Sequence, residues 1–406
     1  MGENMRPTIL TRFLAVAIVG IAMLQANAQD KSKEDLQKEA LALNTVRSEE
    51  AITQKIKELG ENKKYAKKLV QAAAELLPKK EETTFTYSGA HILGLTALDL
   101  RENKTAIEFL LIAIEKANKV KSIKKLCTNR IYLVEAFLAD NRPVDGEKIA
   151  RKILSTRPNT ELDEEDQIAL VNAFFFAKND LVRCVMNQGK FDDAQKLVDG
   201  LIKEYEEQGD AVKGMVLGTK AQFLTYKGDL KDAIKVYELV VDLTDKDDRK
   251  DRLREAIGNL EADAGNVDKA YEILNAQLKK KPDNPGLNND LGYILASHDR
   301  KLDEAEKMTR KAVEAEPENS SFLDSMAWVL YKQKKYKEAK EFMVKAVAQE
   351  RGKNTELMEH LGDIQVALGE KAEAKKSYEA ALAAVTFNYK DQARKPELEK
   401  KLKALP

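Results

Sequence analysis

Cysteine and histidine are nearly missing from this chain, which has two of the first and three of the second among 406 residues. That excludes a disulfide framework, a structural zinc cluster and a haem, each of which needs several such side chains close together. Proline (9) and glycine (19) are also scarce, so few residues interrupt helices. No charge of one sign dominates, because 68 basic residues face 68 acidic ones. Without surplus Lys and Arg, general binding to nucleic acid is not expected. His91, His298 and His360 lack the i, i+4 partner that would put two metal ligands on one helical face. His360 and Asp363, three residues apart, read as a hydrogen-bonded surface pair. No phosphate cradle is present either, since Gly189-Lys190 runs into Phe191 and Gly352-Lys353 into Asn354. No catalytic residue, metal or cofactor is expected.

What is present is a folded, helix-rich composition, 43% apolar and 33% charged. The longest apolar run, Phe13 to Leu24, follows Arg6 and Arg12 and precedes Ala26-Asn27-Ala28. That order matches a secretory signal, with cleavage after Ala28 and a mature chain starting at Gln29. The run is too short to cross a bilayer, which takes roughly 17 to 25 residues. No integral membrane segment is therefore expected after cleavage, and the location is periplasmic or extracellular. In such an oxidising compartment Cys127 and Cys184, 57 residues apart, are still expected to be two buried thiols.

The body of the chain repeats. Leu291-Gly292, Met326-Ala327 and Leu361-Gly362 place a large apolar residue beside a small one at intervals of 35 residues. Small residues recur at Ala305, Ala339 and Ala374, and again seven positions on at Ala312, Ala346 and Ala381. Seven residues are two helical turns, so each set forms a stripe that a neighbouring helix can approach closely. The segments 189–194, 228–233 and 265–270 repeat one turn, in which a glycine ends one helix and acidic residues open the next. Leu93-Gly94 with Ala106 and Ala113 gives an earlier match. Asp163 to Met186 reads as one long first helix.

These residues resemble the tetratricopeptide repeat, whose pattern has small residues at positions eight, twenty and twenty-seven and proline at thirty-two, as at Pro317. The resemblance implies an all-α solenoid of stacked antiparallel helix pairs wound as a right-handed superhelix. Eight pairs are expected. The organisation reads as a signal at residues 1–28, a helical cap or degenerate repeat at 29–84, and divergent units at 85–205. Repeat units follow at 206–284, three well-matched ones at 285–388, and a capping helix at 389–406.

In this repeat class the first helix of each pair lines a concave groove. Its positions fall here on Glu255, Asn259, Asp263, Asn289, Tyr293, Asp324, Trp328, Tyr331, Glu359 and Asp363. With Glu356 the strip holds six carboxylates against two cations, Arg252 and Lys332, which points to a basic or neutral segment of a protein or peptide. Trp328 is either a binding anchor or packing between units. The family's Lys and Asn clamp for a C-terminal carboxylate is absent, since the matching positions hold His91 and Leu95, Ile131 and Glu135, then Asn179 and Arg183. The function this implies is an exported, non-enzymatic scaffold for protein contacts, serving envelope assembly. Two other classes remain: a glycan-binding module stacking sugars on Trp328, Tyr293 and Tyr331, and an enzyme working through groove acids such as Asp324 and Glu359.

Overall fold

The computed structural model describes residues 31–77, 85–157, 161–349 and 354–405. The expected signal peptide, with its cleavage after Ala28, lies outside the described residues, as does Pro158. Among the described residues all regular structure is helical. The chain divides into two compact units, one up to Asp180 and one from Leu181.

The first unit opens with α1 (Lys33–Ala42), α2 (Glu49–Glu61) and α3 (Lys63–Ala74), where Asn62 ends one helix and caps the next by accepting from the Tyr65 amide. Helix pairs follow: α4 (Tyr87–Asp99) with α5 (Asn103–Lys119), and α6 (Ile123–Ala139) with α7 (Pro143–Leu154). The side chain of Asn44, just past α1, accepts from the Thr86 amide at 2.8 Å. That contact ties the opening helices to the start of α4. Phe85 and Phe109, both buried, meet edge to face at 5.2 Å in the core, the arrangement favoured by the ring quadrupoles. The long α8 (Glu164–Met186) runs through the division between the units.

The second unit continues with α9 (Phe191–Glu204), then pairs α10 (Asp210–Lys227) with α11 (Leu230–Asp242) and α12 (Asp247–Asp263) with α13 (Val267–Lys280). Next come α14 (Pro285–Ser297) with α15 (Leu302–Ala315), α16 (Ser320–Lys332) with α17 (Tyr336–Gln349), and α18 (Thr355–Ala367) with α19 (Lys371–Ala384). A single helix, α20 (Tyr389–Lys403), ends the chain.

The repeat has a physical cause at both ends of each first helix. Asn284, Asn319 and Asn354 sit 35 residues apart, and each side chain caps the helix it precedes, satisfying amide donors that have no partner within the helix. At the crossing point the small residue is obligatory. A Cβ on Gly362 would lie 2.3 Å from the Tyr378 ring, and one on Gly292 would lie 2.6 Å from Thr309. Ala305, Ala339 and Ala374 are fully buried on the opposing helices, so the stripe of small side chains lets the paired axes close up. Cys127 and Cys184 are both buried.

Candidate functional site

The first helices of the second unit present the strip that the repeat pattern selects. Tyr293 on α14 donates its hydroxyl hydrogen bond to Glu356 on α18, although α16 stands between those helices in the stack. Side chains can meet past an intervening helix only where the strip curves inward. Within this unit the first-helix face is concave.

At its centre lies His360, 2% exposed. Its Nδ1 hydrogen-bonds Asp324 Oδ1 at 2.9 Å, and its ring stacks on Trp328 with centroids 4.0 Å apart. Trp328 also stacks on Tyr331 at 5.0 Å. Burial disfavours the charged imidazole, but Asp324 and then Glu356 outweigh it, so the His360 pKa is raised. His360 is therefore no surface partner of Asp363, contrary to the i, i+3 expectation. The carboxylate that reaches it comes from the preceding repeat, and Asp363 instead accepts from the Tyr378 hydroxyl at 2.7 Å.

The other acids are engaged from an unexpected direction. Arg394 on α20 donates to Glu359 at 2.7 Å and also to Glu356. Lys401 on α20 donates to Glu359 and to Asp363, both at 2.8 Å. Glu359 is 6% exposed. Burial alone would raise its pKa, yet Lys401 and Arg394 bring it below the usual carboxylate range. At the strip's other end, Asp263 accepts from the Tyr389 hydroxyl at 2.6 Å and from Lys390 at 2.8 Å. The excess of carboxylate on the first helices is thus met by cations of the chain's own last helix.

Of the ten residues that the pattern singles out, six meet in one cluster: Tyr293, Asp324, Trp328, Tyr331, Glu359 and Asp363. Asp263 joins it through α20. The remaining three gather around Asp290, which accepts from Asn259 at 2.9 Å and from Asn289 at 3.3 Å. Glu255 lies beside that group, where burial, with Asp290 among the nearby charges, raises its pKa. The Asn289 Oδ1 and Trp328 Nε1 atoms are buried without a hydrogen-bond partner. Trp328 packs against the cluster of Leu295, Ala296, Ala305 and Val329, so its ring is built into the contact between repeats as well as lining the strip. Position counting missed His360, Arg394 and Lys401. The first occupies the sixth repeat position, between the groove positions, and the other two come from outside the repeats.

Among the described residues no group of three or more His, Cys, Asp or Glu is arranged to hold a metal ion. No helix among them is long and apolar enough to cross a membrane.

Residues 355–384, which form α18 and α19, match the family model of the tetratricopeptide repeat. Helix pairs of this kind recur in each of the two units, so the fold is that of a helix-pair solenoid of the tetratricopeptide-repeat type. Repeats of this class generally carry protein–protein contacts, and the fold supports that role. Similar solved structures include a tetratricopeptide repeat protein from Parabacteroides merdae, at 15% identity, covering 68% of this chain and 97% of that one with a TM-score of 0.48. A thermophilic repeat protein from Thermus thermophilus is 15% identical, covering 47% and 97% with a TM-score of 0.39. MamA from Desulfovibrio magneticus is 17% identical, covering 46% and 95% with a TM-score of 0.31. Among curated proteins none matches the chain.

Proposed function

We propose that this protein is an exported, non-enzymatic scaffold that holds a segment of a protein partner on the concave first-helix face of its second unit, in the service of envelope assembly. The observation that carries the reading is the convergence of acidic and aromatic side chains from α14, α16 and α18 on one inward-curving face. Aromatic rings beside fixed charges are the usual makings of a protein hot spot. Sugar stacking is less well served, because Trp328 is already stacked on two rings. The sequence supports export through the arrangement of Arg6, Arg12, the apolar run and Ala26-Asn27-Ala28.

The test is site-specific crosslinking in the native cell. A photoreactive residue replacing the exposed Arg252, at a groove position of α12, should capture an envelope protein, and one placed on the exposed outer face of α19 at Glu379 should not. Equal capture at both positions sinks the groove assignment. N-terminal sequencing of native material that returned Met1 instead of Gln29 would remove the export reading.

A further inference from the structure

The last helix is built differently from those it touches. Helices α14, α16 and α18 bury eight, seven and eight residues respectively, whereas α20 buries only Leu398. Pro396 lies inside α20 and has no N–H to donate to the preceding turn. What holds the helix is mostly charge. Lys390, Arg394 and Lys401 reach Asp263, Glu356, Glu359 and Asp363, and the half-buried Tyr389 reaches Asp263 as well. Arg394, Leu398, Lys401 and Leu402 stand at i, i+4, i+7 and i+8, which is one helical face.

Two turns of the same unit also lie close against this segment. Phe387 lies against Gly189 and Tyr389 against Gly228, where a Cβ would come within 2.6 Å and 2.9 Å of them. Both glycines also have positive φ, 74° and 96°. Room for the incoming aromatics is thus set at two successive repeat turns. An element with one fully buried leucine, and with Leu402 packed beside it, has few apolar contacts to hold it, while the largely buried carboxylates beneath it are costly to leave without cations, since Glu359 is almost wholly buried.

We propose that α20 is the resident occupant of an acidic docking site, and that the partner recognised there is a basic amphipathic helix with cations seven residues apart around an apolar anchor, which binds by taking the place of α20. This rests on the concave-face reading above and supplies the chemistry of its partner. The tether gives α20 a high effective concentration, so the site is closed until a competitor of better complementarity arrives or the ion pairs weaken.

The experiment uses the full chain and a labelled peptide of residues 386–405. Wild-type protein should bind the peptide weakly, because its own helix competes. The variant Arg394→Glu/Lys401→Glu, whose helix is repelled by the strip, should bind it at least about tenfold more tightly, a factor equal to about 1.4 kcal/mol. Added Glu359→Gln should reduce that gain, and rising ionic strength should erode it. Hydrogen exchange on the wild-type protein provides a measurement independent of any variant: the amides of α20 should exchange faster than those of α18 and accelerate with salt. A double variant with unchanged helical signal that binds the peptide no better than wild type overturns the proposal, as do α20 amides protected like those of α18 and indifferent to salt. Capture of the native partner at Arg252 with no peptide gain would remove this inference and leave the docking face standing. A full peptide gain with capture equal on both faces would do the reverse.

Discussion

Each unit of the molecule contains one buried histidine built on the same plan, and the two differ in the stacking ring and in the charge of the hydrogen-bonded neighbour. In the first unit, His91 on α4 is 8% exposed, stacks on Tyr87 at 5.4 Å, and hydrogen-bonds through Nδ1 to Asn129 on α6 at 2.9 Å. In the second, His360 on α18 is 2% exposed, stacks on Trp328, and hydrogen-bonds through Nδ1 to Asp324 on α16 at 2.9 Å. Depth and hydrogen-bond distance are nearly the same. Asn129 is neutral, however, so burial wins at His91 and its pKa is lowered. At His360 burial acts the same way, and the Asp324 and Glu356 carboxylates overcome it. The contact between repeats thus sets geometry, while the residue across it sets whether a proton is held.

The largest expected test of that comparison removes the stacking partner that differs. Trp328→Ala should destabilise the second unit by about 3 kcal/mol, the low end for aromatic truncation because the ring is only partly buried. Repeats depend chiefly on their neighbours, so the first unit should hold its stability. Calorimetry should then show one transition moving down and the other staying in place. A uniform shift of both would mean that the two units melt as one body and that the comparison has no energetic content.

A smaller effect separates the two units at their helix crossings. Gly362→Ala would drive a Cβ to 2.3 Å from the Tyr378 ring, whereas Gly94→Ala would meet Leu110 at 3.0 Å. Overpacking costs typically 1 to 3 kcal/mol, and the glycine-to-alanine gain within a helix returns about 1. The sum leaves Gly362→Ala destabilising by about 1 kcal/mol or more and Gly94→Ala near neutral. Urea denaturation of both variants checks this, and equal losses would show that the crossings are equally tight.

The same contrast explains what was legible in the sequence. In the second unit Gly189, Gly228, Gly265 and Gly369 end first helices at positive φ, while Asp299 and Lys334 take that conformation after α14 and α16; the glycine turns at 189, 228 and 265, with the small-residue stripes, mark the repeat. In the first unit Arg101 and Asn141 take that backbone conformation, so no glycine marks those turns, and the small-residue stripe there is carried by Gly94, Ala106 and Ala113. The long helix read from Asp163 to Met186 is α8, because nothing in that stretch breaks a helix. Repeat positions found most of the acidic strip because period alone places side chains on a face. They could not find what fills it: Arg394 and Tyr389 lie 35 and 126 residues from Glu359 and Asp263, and no local pattern records that pairing. His360 was misread because helical spacing shows its neighbours on its own helix and is silent about Asp324 on another.

The finest test titrates the two histidines against each other. For His360 the folded pKa is raised, so the native state binds more protons than the unfolded chain between the free value of about 6.5 and the folded one. Its contribution is fully present below that free value and is lost as pH rises through the folded pKa. For His91 the folded pKa is lowered, so its contribution is present above about 6.5 and is lost as pH falls through the folded pKa. The groups facing His360 are Asp324, Glu356, Arg394, Tyr293 and Trp328, and those facing His91 are Asn129, Tyr87, Tyr132 and Glu49. The second unit should therefore soften as pH rises from about 6.5 and the first as pH falls from it. Trp328 is the only tryptophan in the chain, so its fluorescence follows the second unit alone while circular dichroism follows both. Denaturation midpoints measured across neutrality by the two signals should diverge in opposite directions. Asp324→Asn, which gives His360 the kind of partner His91 has, should flatten or invert the fluorescence trend and leave the first unit's trend unchanged. If fluorescence and dichroism midpoints move together at every pH in wild type and variant alike, the charge across the repeat contact is not what distinguishes the units.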